Sequence, residues 1–136
     1  MGLPALRWRE PDGGELLAYP FGPMGYYTYM VRTDRNGTLV SHENVLDPVH
    51  FARLRAGMTE EEVLRTLGPS VQSWTVYFKA RDELVWEWRY CDDWGEPARF
   101  NVLFDGSTRR LRTTMSQTES MRGFFGMGDR RQWCKR

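Results

Sequence analysis

The clearest helix punctuation falls within residues 47–68, and strand-like alternation flanks it on both sides. Asp47-Pro48 reads as an N-cap followed by proline at the first helical position. Val49, Phe51, Ala52 and Leu54 give a short helix an apolar side, and Gly57 is expected to close it. Thr59 and Glu62 have the spacing of a capping box, in which each residue satisfies an amide of the other. Val63, Leu64 and Leu67 then form a buried stripe, and Gly68-Pro69 ends the second helix. Two short helices meeting at a Gly57-Met58 corner are therefore predicted.

Four strands are predicted after this pair: Ser73–Phe78, Glu83–Cys91, Ala98–Asp105 and Arg109–Met115. Four more are predicted before it: Ala5–Arg9, Glu15–Tyr19, Tyr26–Arg32 and Thr38–Glu43. The two sets resemble copies of one unit. Trp8 matches Trp74 at an offset of 66, Glu15-Leu16-Leu17 matches Glu83-Leu84-Val85, and Asp34 matches Asp105. The offset drifts only inside turns, where insertions are tolerated. The expected fold is α+β, with antiparallel sheets and a two-helix layer arranged as tandem helix-helix-sheet units. Residues 1–46 are read as a first repeat reduced to its sheet, 47–117 as a complete second repeat, and 118–136 as a basic aromatic tail. The missing first helix pair leaves two readings: the first copy does without it, or, the favoured one, it was cut away and Met1 is an artificial start.

Composition limits the functional classes. The formal net charge of +1 leaves no global field for nucleic acid. Hydrophobic residues make up 40% of the chain, but aromatics reach 14%, enough to fill a core of this size. No stretch approaches a membrane span, and no basic-then-apolar leader is present. Cys91 and Cys134 fit no metal spacing. Two readings of them stand: one disulfide in an oxidising compartment, or two unlinked thiols. No His, Cys or carboxylate set converges in sequence, so neither catalysis nor a metal or cofactor is expected. His42 and His50 are read as surface or packing residues. Asp92-Asp93 is read as a solvated pair, and Asn36-Gly37-Thr38 as a hairpin rather than a glycosylation site.

The run from Phe51 through Gly57-Met58-Thr59 and Glu60-Glu61-Glu62 to Val63 and Leu67-Gly68-Pro69 resembles the signature of the SmpA/OmlA (BamE) family of outer-membrane lipoproteins. Trp86–Tyr90 and Phe100–Gly106 resemble that family's aromatic strand and Phe-Asp-Gly turn. The likeness spans about residues 48–115. It implies a helix pair on an antiparallel sheet and a secreted, usually lipidated precursor. It also implies a non-catalytic role in outer-membrane assembly or envelope integrity, at the periplasmic face of the outer membrane. The chain departs from the family in having no lipobox cysteine near its start. Two such units in tandem resemble the β-lactamase inhibitor proteins, which implies the alternative of a secreted inhibitor acting through its sheet.

Trp86, Trp88 and Tyr90 are expected to pack under the helices. The other face of that sheet is then expected to present Tyr77, Glu87, Arg89, Asn101 and Leu103, either as a solvated surface or as a protein-binding platform. In the tail, Phe124, Phe125 and Trp133 interleave with Arg130, Arg131 and Lys135. That pattern fits a solvated end or a contact to anionic lipid or an acidic partner.

Overall fold

The computed structural model describes residues 2–121 and residue 134. The tail candidates Phe124, Phe125, Arg130, Arg131, Trp133 and Lys135 lie outside the described residues. The fold is α+β, with two antiparallel four-stranded sheets and a short helix pair between them in sequence. The first sheet holds β1 (Leu6–Arg9), β2 (Glu15–Pro20), β3 (Thr28–Thr33) and β4 (Leu39–Asn44), side by side in chain order. α1 (Pro48–Phe51) and α2 (Glu60–Leu67) follow. The second sheet holds β5 (Val76–Phe78), β6 (Glu83–Cys91), β7 (Pro97–Asp105) and β8 (Leu111–Thr118), again in chain order.

Local chemistry accounts for the helix ends. The Asp47 side chain accepts from the His50 amide at 3.0 Å, and Pro48 opens α1. In α2 the Glu62 amide donates to Thr59 Oγ1 at 3.1 Å, and the Thr59 amide donates to Glu62 Oε1 at 2.9 Å. The amide donated from Thr59, and then its hydroxyl, hold the Glu62 carboxyl below its ordinary value. Thr59→Ala should lower the unfolding free energy by about 1 kcal/mol, measured by urea titration. A change indistinguishable from zero would mean that tertiary packing alone sets this helix start.

α1 is shorter than expected. It ends at Phe51, not at Gly57, because Phe51 and Leu54 both turn into the core while Val49 stays exposed. Phe51 stacks on Phe100 at 3.8 Å between centroids and meets Tyr90 edge-on at 4.8 Å. This anchor, rather than helix length, seats the segment.

One hydrophobic core joins both halves. Val63 and Leu67 of α2 lie in a single cluster with Trp8, Leu16, Ala18 and Met30 of the first sheet. The same cluster takes in Leu84, Trp88, Tyr90, Phe100, Val102 and Phe104 of the second. The aromatic face of β6 thus packs toward the helices, with Trp88 fully buried, Tyr90 buried and Trp86 partly buried. Gly68 marks the pinch point. A Cβ there would stand 2.8 Å from Thr28 Cγ2, while the Gly68 carbonyl accepts from Trp88 Nε1 at 3.2 Å. Its φ of +75° also favours glycine. The one helix pair is therefore shared by the two sheets.

Two further expectations change. Residues Gln72–Trp74 form a 3-10 turn, so the fifth strand starts at Val76 rather than Ser73. The reason is a pairing made early: the Val71 amide donates to the Glu87 carbonyl at 2.9 Å, and the chain must turn before it can run along β6 again. Trp74 consequently does not occupy the place of Trp8. Trp8 sits in a strand within the core, whereas Trp74 lies half-buried in the turn, with the Arg99 guanidinium 3.6 Å over its ring. Of the two readings of the cysteines, the disulfide is the one formed, joining Cys91 to Cys134.

Candidate functional site

Register decides which side chains share the second sheet's outer face. Residues directly paired across antiparallel strands point to the same side. Leu84, Trp86, Trp88 and Tyr90 pair with Phe104, Val102, Phe100 and Ala98 on the core side. Glu83, Val85, Glu87 and Arg89 pair with Asp105, Leu103, Asn101 and Arg99 on the outer side. β5 adds Val76, opposite Val85, and Phe78, opposite Glu83. β8 adds Met115, opposite Asn101, and Gln117, opposite Arg99.

Tyr77 is therefore misplaced by the sequence reading. It pairs with Leu84, on the opposite side from Glu87, Arg89, Asn101 and Leu103. Its hydroxyl donates to Asp82 Oδ1 at 2.6 Å, which raises its pKa above the ordinary value. The error is one residue of register, and a one-residue slip moves every side chain of a strand to the other face.

The other four residues do share the outer face, but with different roles. Arg89 grips Glu119 through two bonds of 2.7 and 3.0 Å, and Arg99 donates to the same carboxylate at 2.8 Å. Arg99 also donates to Glu87 at 2.5 Å, and Asn101 donates to Glu87 at 2.6 Å. Glu87, Asn101 and Glu119 are all buried, Glu119 to 2% exposure. Burial pushes the Glu119 carboxyl up, but its bonds from Arg89 and Arg99 outweigh that and leave it below its ordinary value. Tyr26, from the loop between β2 and β3, lies 4.5 Å from the Arg89 guanidinium and closes this end. Two carboxylates and two guanidinia balance in charge, so this end of the face is a satisfied polar floor.

Leu103 lies at the other end, and there the face changes character. A depression of about 300 Å3 is lined by residues including Val76, Phe78, Val85, Leu103 and Met115. Val76, Phe78 and Met115 keep 43%, 40% and 46% of their surface exposed. Arg81 and Glu83 pair with each other on its rim at 3.1 Å, and Arg81 also lies 4.5 Å over the Phe78 ring. Of these apolar residues, sequence reasoning placed only Leu103 on the binding face. Val76-Tyr77-Phe78 is apolar at every position, so alternation carries no signal of which residues face out.

The loop between β6 and β7 holds a further exposed aromatic. Asp92 Oδ1 accepts from the amides of Trp94 and Glu96, both at 2.9 Å, and the turn leaves Trp94 84% exposed. Cys134 docks beside it, its amide donating to the Gly95 carbonyl at 2.7 Å. Among the described residues no cluster of three or more His, Cys, Asp or Glu is placed to hold a metal. No helix there is long and apolar enough to cross a membrane. No family model, no curated protein and no solved structure matches this chain.

Proposed function

We propose that the chain is a non-catalytic protein-binding module of the cell envelope, whose partner seats on the apolar end of the second sheet's outer face. The observation that carries this reading is the apolar group of exposed Val76, Phe78 and Met115 around half-buried Val85 and Leu103, set beside a buried, charge-balanced floor. Because Glu87 and Glu119 are already engaged by guanidinia, the floor offers little net charge to a partner. Recognition then rests on apolar contact, and the partner is a folded protein presenting aliphatic or aromatic side chains inside a polar rim. The disulfide supports residence in an oxidising compartment such as the periplasm. The resemblance of Gly57–Pro69 to the SmpA/OmlA family supports an accessory role in outer-membrane assembly or envelope integrity.

The repeated strand order favours a second reading. Each sheet is a four-stranded meander in chain order. Each last turn begins with an aspartate that accepts from two amides: Asp34 from Asn36 and Thr38, Asp105 from Ser107 and Thr108. These features support one sheet unit used twice, the plan of a secreted inhibitor that blocks an enzyme through its sheet.

Site-specific photocrosslinking in the native host tests both. Crosslinks from positions 78, 103 and 115 to one protein, absent from position 39, are the expected result. With the captured protein purified, the Phe78→Ala/Leu103→Ala pair should weaken binding roughly tenfold or more. A folded double variant that binds unchanged would move the interface away from this face, with the Trp94 loop next in line. A captured enzyme that loses activity on binding favours the inhibitor reading. A captured assembly or envelope component favours the first.

A further inference from the structure

The first sheet and the helix pair leave a recess of about 120 Å3 that shares no lining residue with the outer face of the second sheet. Arg32, Glu43, His50, Arg53, Arg65 and Thr66 are among the residues that line it. His50 is 5% exposed. Its Nδ1 lies 2.6 Å from Asp47 Oδ1, the same oxygen that accepts the His50 backbone amide. A carboxylate only accepts, so Nδ1 carries a proton and donates it, and Nε2 is the ring position left over. Nε2 is buried and has no hydrogen-bond partner among the described residues. The nearest charged oxygen, Glu43 Oε1, stands 3.4 Å away outside hydrogen-bonding geometry, on a side chain that is 58% exposed. Buried orphans of this kind are rare, because they forfeit their bonds to water.

The cations around it narrow the ligand. Arg32 is held by Glu10 at 2.6 Å. The Arg53 side chain makes no hydrogen bond or ion pair among the described residues, its backbone amide alone donating to the His50 carbonyl at 3.0 Å. Arg65 lies over the Trp8 ring at 5.8 Å and likewise makes no ion pair among them. Two guanidinia without a carboxylate partner beside a buried imidazole nitrogen disfavour a metal ion and favour an oxyanion. The volume is several times what one water needs, enough for one tetrahedral group.

We propose that this recess binds a phosphate group, with Arg53 and Arg65 clamping its oxygens and His50 Nε2 meeting it from the buried side. A hydrogen phosphate or phosphomonoester carries both acceptor oxygens and, when protonated, a hydroxyl donor. It therefore satisfies Nε2 whether that nitrogen bears a proton or a lone pair. Glu43 is the built-in competitor, and ligand entry turns its carboxylate out to solvent.

The test is a titration of the intact, oxidised protein with inorganic phosphate, glycerol phosphate and acetate, read by the 15N shift of His50 Nε2 and by calorimetry. Phosphate should shift Nε2 saturably. Arg53→Ala and Arg65→Ala should each weaken binding about fivefold or more, the loss of a charge-assisted contact. Glu43→Gln should tighten it about threefold by removing a like charge, an effect in the opposite direction that no loss of folding can imitate. Tighter binding of glycerol phosphate than of inorganic phosphate identifies the phosphate as the end group of a larger ligand, and the reverse order identifies the free ion. No saturable shift of Nε2 overturns the proposal, as does an equal response to acetate or weaker binding by Glu43→Gln.

Discussion

Reducing the Cys91–Cys134 disulfide should lower the unfolding free energy by about 4 kcal/mol, the largest single effect expected in this protein. The bridge joins residues 43 apart in sequence, and closing a loop of that size removes about 4 kcal/mol of chain entropy from the unfolded state. The folded state is prepared to receive it. Cys91 ends the long strand β6, and the Cys134 amide is held by the Gly95 carbonyl in the adjoining loop. Urea unfolding with and without reductant measures the effect, and a Cys91→Ser/Cys134→Ser variant separates it from side reactions of the reductant. A difference below about 1 kcal/mol would mean that the reduced, unfolded chain stays nearly as restricted as the bridged one.

The second large effect belongs to Glu119. Glu119→Ala leaves the guanidinia of Arg89 and Arg99 without their shared carboxylate, and neither cation is well exposed: their side chains keep 22% and 12% of their surface. Breaking a buried pair by removing one partner costs about 3 kcal/mol or more, because the remaining charges stay desolvated. The acid side of the stability curve gives an independent check. The folded carboxyl titrates below its ordinary value of 4.5. Its contribution is therefore fully present above that pH and is lost as pH falls through the folded value. Glu119→Gln should flatten this part of the curve relative to the parent protein. An unchanged acid limb, together with a loss under about 0.5 kcal/mol for Glu119→Ala, would show that solvent already screens the network.

That network also engages three of the named binding candidates, Glu87, Arg89 and Asn101, within the fold itself. Of the three, Arg89 is the kind of residue that concentrates binding energy when a partner buries it. Here the fold has buried or engaged them already, against Glu119, a residue outside the predicted strands. In the proposed reading the anchors are instead aliphatic and aromatic neighbours that the sequence alone does not distinguish from core.

Much of the fold was legible in the residues themselves. The capping box of Thr59 and Glu62, the Asp47-Pro48 start and the alternation of β6 are set by contacts within a few residues, so each could be read locally. All eight strands follow from the same short-range patterns, with shifted ends. What the chain order could not show was decided by contacts between distant residues. The register of β5 depends on where Val71 first meets Glu87, and it turned Tyr77 away from the proposed binding face. The sharing of one helix pair by two sheets depends on Gly68 fitting between Thr28 and Trp88. The orphaned nitrogen of His50 arises because Asp47 takes one side of the ring while the first sheet closes over the other. In each case the deciding partner lies far away in sequence or is set by packing, and local pattern carries no record of it.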